Sequence, residues 1–117
     1  MNLKKLVQQR FEEKFGEQPA FVIRAPGRVN LIGEHTDYND GFVMPMAIDR
    51  AVWLAIRPRE DGRVSAHSLE MDDPIDFEIS NLGKPGQGWG EYVKGVTWAL
   101  LEEGFELSGW ELSLIHI

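Results

Sequence analysis

At 117 residues the chain is about one small domain in length, enough to bury a core if the fold closes within it. Lys plus Arg total 12 against 19 Asp plus Glu, and the formal charge of -7 opposes tight non-specific association with nucleic acid or anionic lipid and suits a small neutral ligand. Without cysteine there is neither a disulfide framework nor a thiolate zinc site, which fits a reducing compartment.

Leu3, Val7, Phe11 and Phe15 recur every four residues with Leu6 beside them, which predicts an amphipathic helix ended by Gly16 in the left-handed conformation. Charge interrupts this stretch every few residues, so it is neither a signal-peptide core nor a membrane span, and the cytosol is the expected compartment. Residues 20–24 predict a short strand, and Ala25, Pro26 and Gly27 predict a turn into a second apolar run at 29–32, together a hairpin. Gly33 releases the chain into a polar loop, Glu34 to Asp40, and Gly41 opens an apolar segment that runs on to Ile56. Pro45 belongs at an edge or a bend, because it cannot donate to a sheet ladder. Asp61 and Gly62 predict a turn, and 63–69 and 75–79 alternate as half-buried strands do. A glycine-rich stretch at 83–90 precedes a helix expected over 91–103, with Gly104 as its stop, and 110–117 alternates like a last strand.

The loop carries the chemistry. A sugar offers vicinal hydroxyls, each both donor and acceptor; a carboxylate holds two of them at once and a histidine nitrogen takes a third. Glu34, His35 and Asp37 supply that set between two glycines, and Arg28 adds a permanent cation able to steady phosphate charge or an ionising hydroxyl. On side-chain chemistry alone a solvated polar loop explains the same residues somewhat better.

Spacing and order decide between them. The segment GRVNLIGEHTDY at 27–38, continued by NDGFVMPMAID to 49, resembles the signature of the galactokinases, members of the GHMP small-molecule kinase superfamily. The resemblance extends to the helix ahead of it and to WGEYVKG at 89–95. It implies ATP-dependent phosphorylation of the anomeric hydroxyl of galactose, with Glu34, His35 and Asp37 binding the sugar, Arg28 at the reacting end, and Trp89 and Tyr92 on the nucleotide side. It also implies ATP and Mg2+ as requirements of the intact enzyme, galactose and ATP as its ligands, no nucleic-acid or membrane partner, and a monomer. The family's glycine–serine phosphate loop and its later aspartate base are not among these 117 residues. The chain therefore reads as an N-terminal portion, one domain with its signature at 25–49, expected to have no turnover alone.

The expected fold class is α+β, the N-terminal part of the GHMP kinase fold, with a mixed, mostly antiparallel sheet carrying helices on one face. Other motifs are weaker. Gly86, Gly88 and Gly90 before a helix lack the Lys-Ser/Thr of a P-loop, and a calcium loop aligned on Gly41 puts Ala47 at its last ligand position. A metal held by Glu34, His35 and Asp37 would need all its ligands from one tight loop. His67 and His116 have no partners in sequence and read as packing or surface residues. A galactose sensor that binds without turnover, or a kinase for N-acetylgalactosamine or arabinose, would share much of the signature.

Overall fold

The computed structural model describes residues 2–33, 35–71, 73–84, 86 and 88–115. In chain order these form α1 (Leu3–Phe15), β1 (Phe21–Asn30), a single 3-10 turn (Asp37–Asn39), β2 (Pro45–Pro58), β3 (Arg63–Ser68), β4 (Ile75–Glu78), α2 (Gly90–Glu102) and β5 (Trp110–Ile115). The five strands make one sheet in the order β1-β2-β5-β3-β4. Three of its pairings are antiparallel and only β3 with β5 is parallel, so the sheet is mixed and mostly antiparallel.

The first helix forms as its periodicity predicts. The Asn2 side chain accepts the Lys5 N–H at 3.2 Å, satisfying one of the free donors at the helix start. Gly16 takes φ 76° at the other end and gives its N–H to the Glu12 carbonyl. Val7 and Phe11 are sealed from solvent against Ala55 and Ile115, with Leu3, Leu6, Phe15, Val22 and Trp53 around them. Each of the two stabilises the fold by about 1.5–3 kcal/mol through burial.

The hairpin expected within 20–32 is absent. Phe21 to Asn30 is instead one strand, paired along its length with β2, and Pro26 and Gly27 mark a register shift rather than a reversal. Proline offers no N–H to the ladder, and between the pairs Pro26–Ala51 and Arg28–Ala47 three residues of β2, Ile48 to Arg50, stand against Gly27 alone, so the extra residues of the bulge lie on β2 and β1 continues past it. Pro45 sits at the first position of β2, opposite Asn30 and beyond the reach of β5, where a missing donor costs nothing on the β5 side.

The helices divide between the two faces of the sheet, where one face was expected for both. In β2, Trp53 and Ala55 point to α1, whereas Val52, Leu54 and Ile56 join Ala66, Leu112, Leu114, Ile75 and Trp89 on the other side. The run from Ala51 to Ile56 is apolar at consecutive positions, one alternate set packing under α1 and the other, half-buried, joining the second cluster. On the second face α2 starts tight against β4: a Cβ on Gly90 would collide with the Ile75 side chain. Further along, Thr97 is buried while Tyr92, Val96 and Trp98 stay exposed.

Glu111, 6% exposed, is an acid on a central strand. It is held by ion pairs to Arg57 and Arg59, the latter at 3.8 Å, and Arg57 also pairs with Glu17. Arg59 in turn grips Asp61 at 2.5 Å, a hydrogen bond that holds the Asp61 carboxyl below its ordinary pKa and the guanidinium above its own.

Candidate functional site

The long β1–β2 pairing delivers two strand ends to the same place, and the loop between them is closed at its base by backbone bonds. Leu31 N–H reaches the Met44 carbonyl at 2.9 Å, and Met44 N–H reaches Ile32 at 3.0 Å. Gly33, at φ 103°, then turns the chain where a side chain cannot go, because its Cβ would stand 2.5 Å from the Phe42 carbonyl oxygen. Gly41 is required for space alone, since a Cβ there would overlap the Thr36 side chain.

Inside this ring the polar groups brace one another. The Thr36 hydroxyl lies 2.8 Å from the Gly33 carbonyl and 2.9 Å from that of Phe42, and the Thr36 carbonyl accepts from Asn39 N–H at 3.1 Å and Gly41 N–H at 2.6 Å. The Asn39 side-chain amide donates to the His35 carbonyl at 2.8 Å, holding His35 at φ 58°, a conformation uncommon for a residue with a side chain. His35 Nδ1 and the Tyr38 hydroxyl share a hydrogen bond of 2.5 Å, the rings meeting edge-on at 72°. That leaves Nε2 as the nitrogen a ligand can meet. Thr36, Tyr38 and Asn39 were not singled out from sequence; hydroxyl and amide side chains within three residues of a glycine, where they can bond the local backbone, were the available signal.

Among the residues expected at the site, Arg28 is exposed near the end of β1, just past the bulge and opposite Ala47. His35 is exposed on the loop, and Asp37 opens the 3-10 turn. Glu34 and the Asp37 side chain lie outside the described residues. Trp89 and Tyr92 are elsewhere: Trp89 packs on the β3–β5 side and donates its indole N–H to the Asp73 carbonyl at 3.0 Å, and Tyr92 is exposed on the first turn of α2. In the sheet order that side is separated from the strand bearing Arg28 by β2. Leu31, Ile32, Phe42 and Met44, all exposed, form an apolar surround to the loop.

The remaining candidates settle into structural roles. His67 faces α1, and burial, reinforced by the charges of Lys14 and Arg10, lowers its pKa. His116 lies outside the described residues. Beside the glycine-rich connector a cleft of about 300 Å³ is lined by Leu82, Lys84, Lys94 and Trp98. No three His, Asp or Glu side chains among the described residues converge to hold a metal. No described helix is long and apolar enough to cross a membrane.

The galactokinase galactose-binding signature matches residues 9–58, a span that takes in the second half of α1, all of β1 and β2, and the braced loop. A galactokinase from Streptomyces coelicolor is 49% identical over 111 residues, covering 92% of this chain, and one from Roseiflexus sp. is 48% identical over 103 residues. The chain belongs to the galactokinase family. It spans about a quarter of the length of these relatives, 28% and 26% respectively. The crystal structure of Lactococcus lactis galactokinase complexed with galactose superposes with a TM-score of 0.82 at 37% identity, over 99% of this chain and 31% of that one. The Methanococcus jannaschii mevalonate kinase, at TM-score 0.61 and 17% identity, shares the fold.

Proposed function

We propose that this chain is the sugar-recognising, N-terminal portion of a galactokinase, which transfers the γ-phosphoryl group of ATP to the C1 hydroxyl of galactose in the cytosol. The observation that carries the reading is the braced loop itself. Its polar residues lie within the matched galactose-binding signature, and a relative of closely similar fold was crystallised with galactose.

In this reading Glu34 and Asp37 accept hydrogen bonds from sugar hydroxyls, and His35 adds one through Nε2, its Nδ1 being engaged by Tyr38. Arg28 stands at the reacting end, where its charge stabilises the C1 oxygen as it loses its proton and attacks phosphorus. A bond forms from that oxygen to the γ-phosphorus, the bond to the β-phosphate oxygen breaks, and ADP leaves. The base that takes the hydroxyl proton and the loop that cradles the phosphates are supplied from outside these residues. Trp89 and Tyr92 serve the nucleotide side, and ATP brings Mg2+ with it. The working enzyme is a monomer.

The test is a chimaera in which residues 1–115 replace the matching region of the Lactococcus lactis galactokinase. It should release ADP in a galactose-dependent manner, and Asp37→Ala should lower kcat/KM by a hundredfold or more, about 2.7 kcal/mol. Turnover unaffected by Asp37→Ala, or a preference for N-acetylgalactosamine or arabinose over galactose, would sink the assignment.

A further inference from the structure

We propose that Thr36 is the positioning residue of the sugar loop, holding the backbone from which His35 and Asp37 project without itself being required to touch the ligand. The proposal rests on the sugar-binding reading of the loop. Its basis is that the hydroxyl joins the two limbs of the loop while the backbone carbonyl of the same residue closes the turn between them.

The loop has two limbs, one leaving through Gly33 and one returning through Phe42. The Thr36 hydroxyl lies between them, 2.8 Å from one carbonyl and 2.9 Å from the other, so a single proton is shared by acceptors on both limbs. No other side-chain hydrogen bond among the described residues joins those limbs; the Asn39 bond to His35 stays within the loop's own turn. The carbonyl of Thr36 gathers the N–H groups of Asn39 and Gly41, closing the 3-10 turn that begins at Asp37. Four backbone groups of the loop thus depend on one residue.

Both flanking glycines are shaped around it. A Cβ on Gly41 would overlap the threonine side chain, and one on Gly33 would come within 3.1 Å of its hydroxyl oxygen. Such close approach by both glycines restricts the rotamer of the half-buried threonine, and giving up either acceptor to water unlinks the two limbs. Valine keeps the branched shape and loses the donor, leaving two carbonyls unsatisfied. Serine loses a methyl and keeps the donor. The pair therefore separates hydrogen bonding from volume.

The experiment uses the 117-residue chain, with amide hydrogen exchange followed by NMR and galactose binding by calorimetry. Thr36→Val should accelerate exchange at Gly41 and Met44 tenfold or more, leave Ala55 and Leu112 in the sheet unchanged, and weaken galactose binding tenfold or more. Thr36→Ser should stay within threefold of the parent in both readouts. The proposal is overturned if Thr36→Val leaves the loop amides as protected as before, if Thr36→Ser is as damaging as Thr36→Val, or if the loop loosens with no change in galactose affinity. Failure of the sugar reading looks different: the parent chain binds no galactose, or Asp37→Ala leaves affinity intact. In that case the exchange readout alone decides whether Thr36 holds the loop.

Discussion

Replacing Gly33 by alanine should open the sugar loop while leaving the sheet folded, and the structure bounds the cost. At φ 103° an alanine sits outside the small left-handed region that residues with a Cβ tolerate, a strain of about 1–3 kcal/mol. Its methyl group would also stand 2.5 Å from the Phe42 carbonyl oxygen and 2.9 Å from the Val43 Cα, both backbone atoms that cannot swing aside, adding about 1–3 kcal/mol of overpacking. Against this the loop is closed by two backbone bonds at its base and one shared hydroxyl proton, together about 3 kcal/mol at roughly 1 kcal/mol each. Once the penalty exceeds that sum the cheaper response is to part the limbs, so the loss of global stability saturates near about 3 kcal/mol. Gly16→Ala is the matched control: its φ is 76°, nothing lies within 4 Å of the added methyl group, and only the backbone cost of about 1 kcal/mol remains. Urea denaturation followed by circular dichroism gives both values, and exchange at the Met44 amide reports the opening directly. A Gly33→Ala chain as stable as the Gly16→Ala chain, with Met44 still protected, would refute the reasoning.

Phe11→Ala removes a sealed ring from beneath α1 and should cost about 3–5 kcal/mol, whereas Trp98→Ala on the exposed face of α2 should fall within about 0.5 kcal/mol of the parent, both read from urea midpoints. Glu111→Ala removes the buried acid but leaves Arg57 with Glu17 and Arg59 with Asp61, so it should cost about 1–3 kcal/mol; a midpoint unchanged by the substitution would show the ion pairs to be dispensable. His67 has a lowered pKa in the fold, so the unfolded chain takes up its proton first as pH falls. The stability its neutral form contributes is intact above the unfolded value near about 6.5 and declines below it until the folded pKa is reached. His67→Asn should flatten the pH dependence of the unfolding free energy just below about 6.5, and an unchanged slope would assign that dependence to other groups. The 117-residue polypeptide alone should release no ADP with galactose and ATP in a coupled assay, because it contains no glycine–serine phosphate loop; measurable turnover would contradict that.

The amino-acid sequence by itself determined α1 and its C-terminal cap, the existence of β3 and β4, the start of α2 and the polar loop between Gly33 and Gly41. These are local matters: the spacing of Val7 and Phe11, the freedom of Gly16, and the order of charged residues between Gly33 and Gly41 act over a few positions of chain. The tertiary structure decided the rest. Pro26 and Gly27 look like a reversal in isolation, but the strand runs on through them because β2, about 25 residues downstream, pairs on both sides and takes up the register shift in a bulge of its own. The run from Ala51 to Ile56 cannot say which of its side chains meets α1 and which meets Trp89, since an unbroken apolar strand satisfies both faces alike. The insertion of β5 between β2 and β3 also depends on pairing distant segments, which no local pattern encodes. For the site, sequence named the groups able to hold a sugar. The part played by Thr36 emerged only when folding brought Gly33 and Phe42, nine positions apart, within reach of one hydroxyl proton.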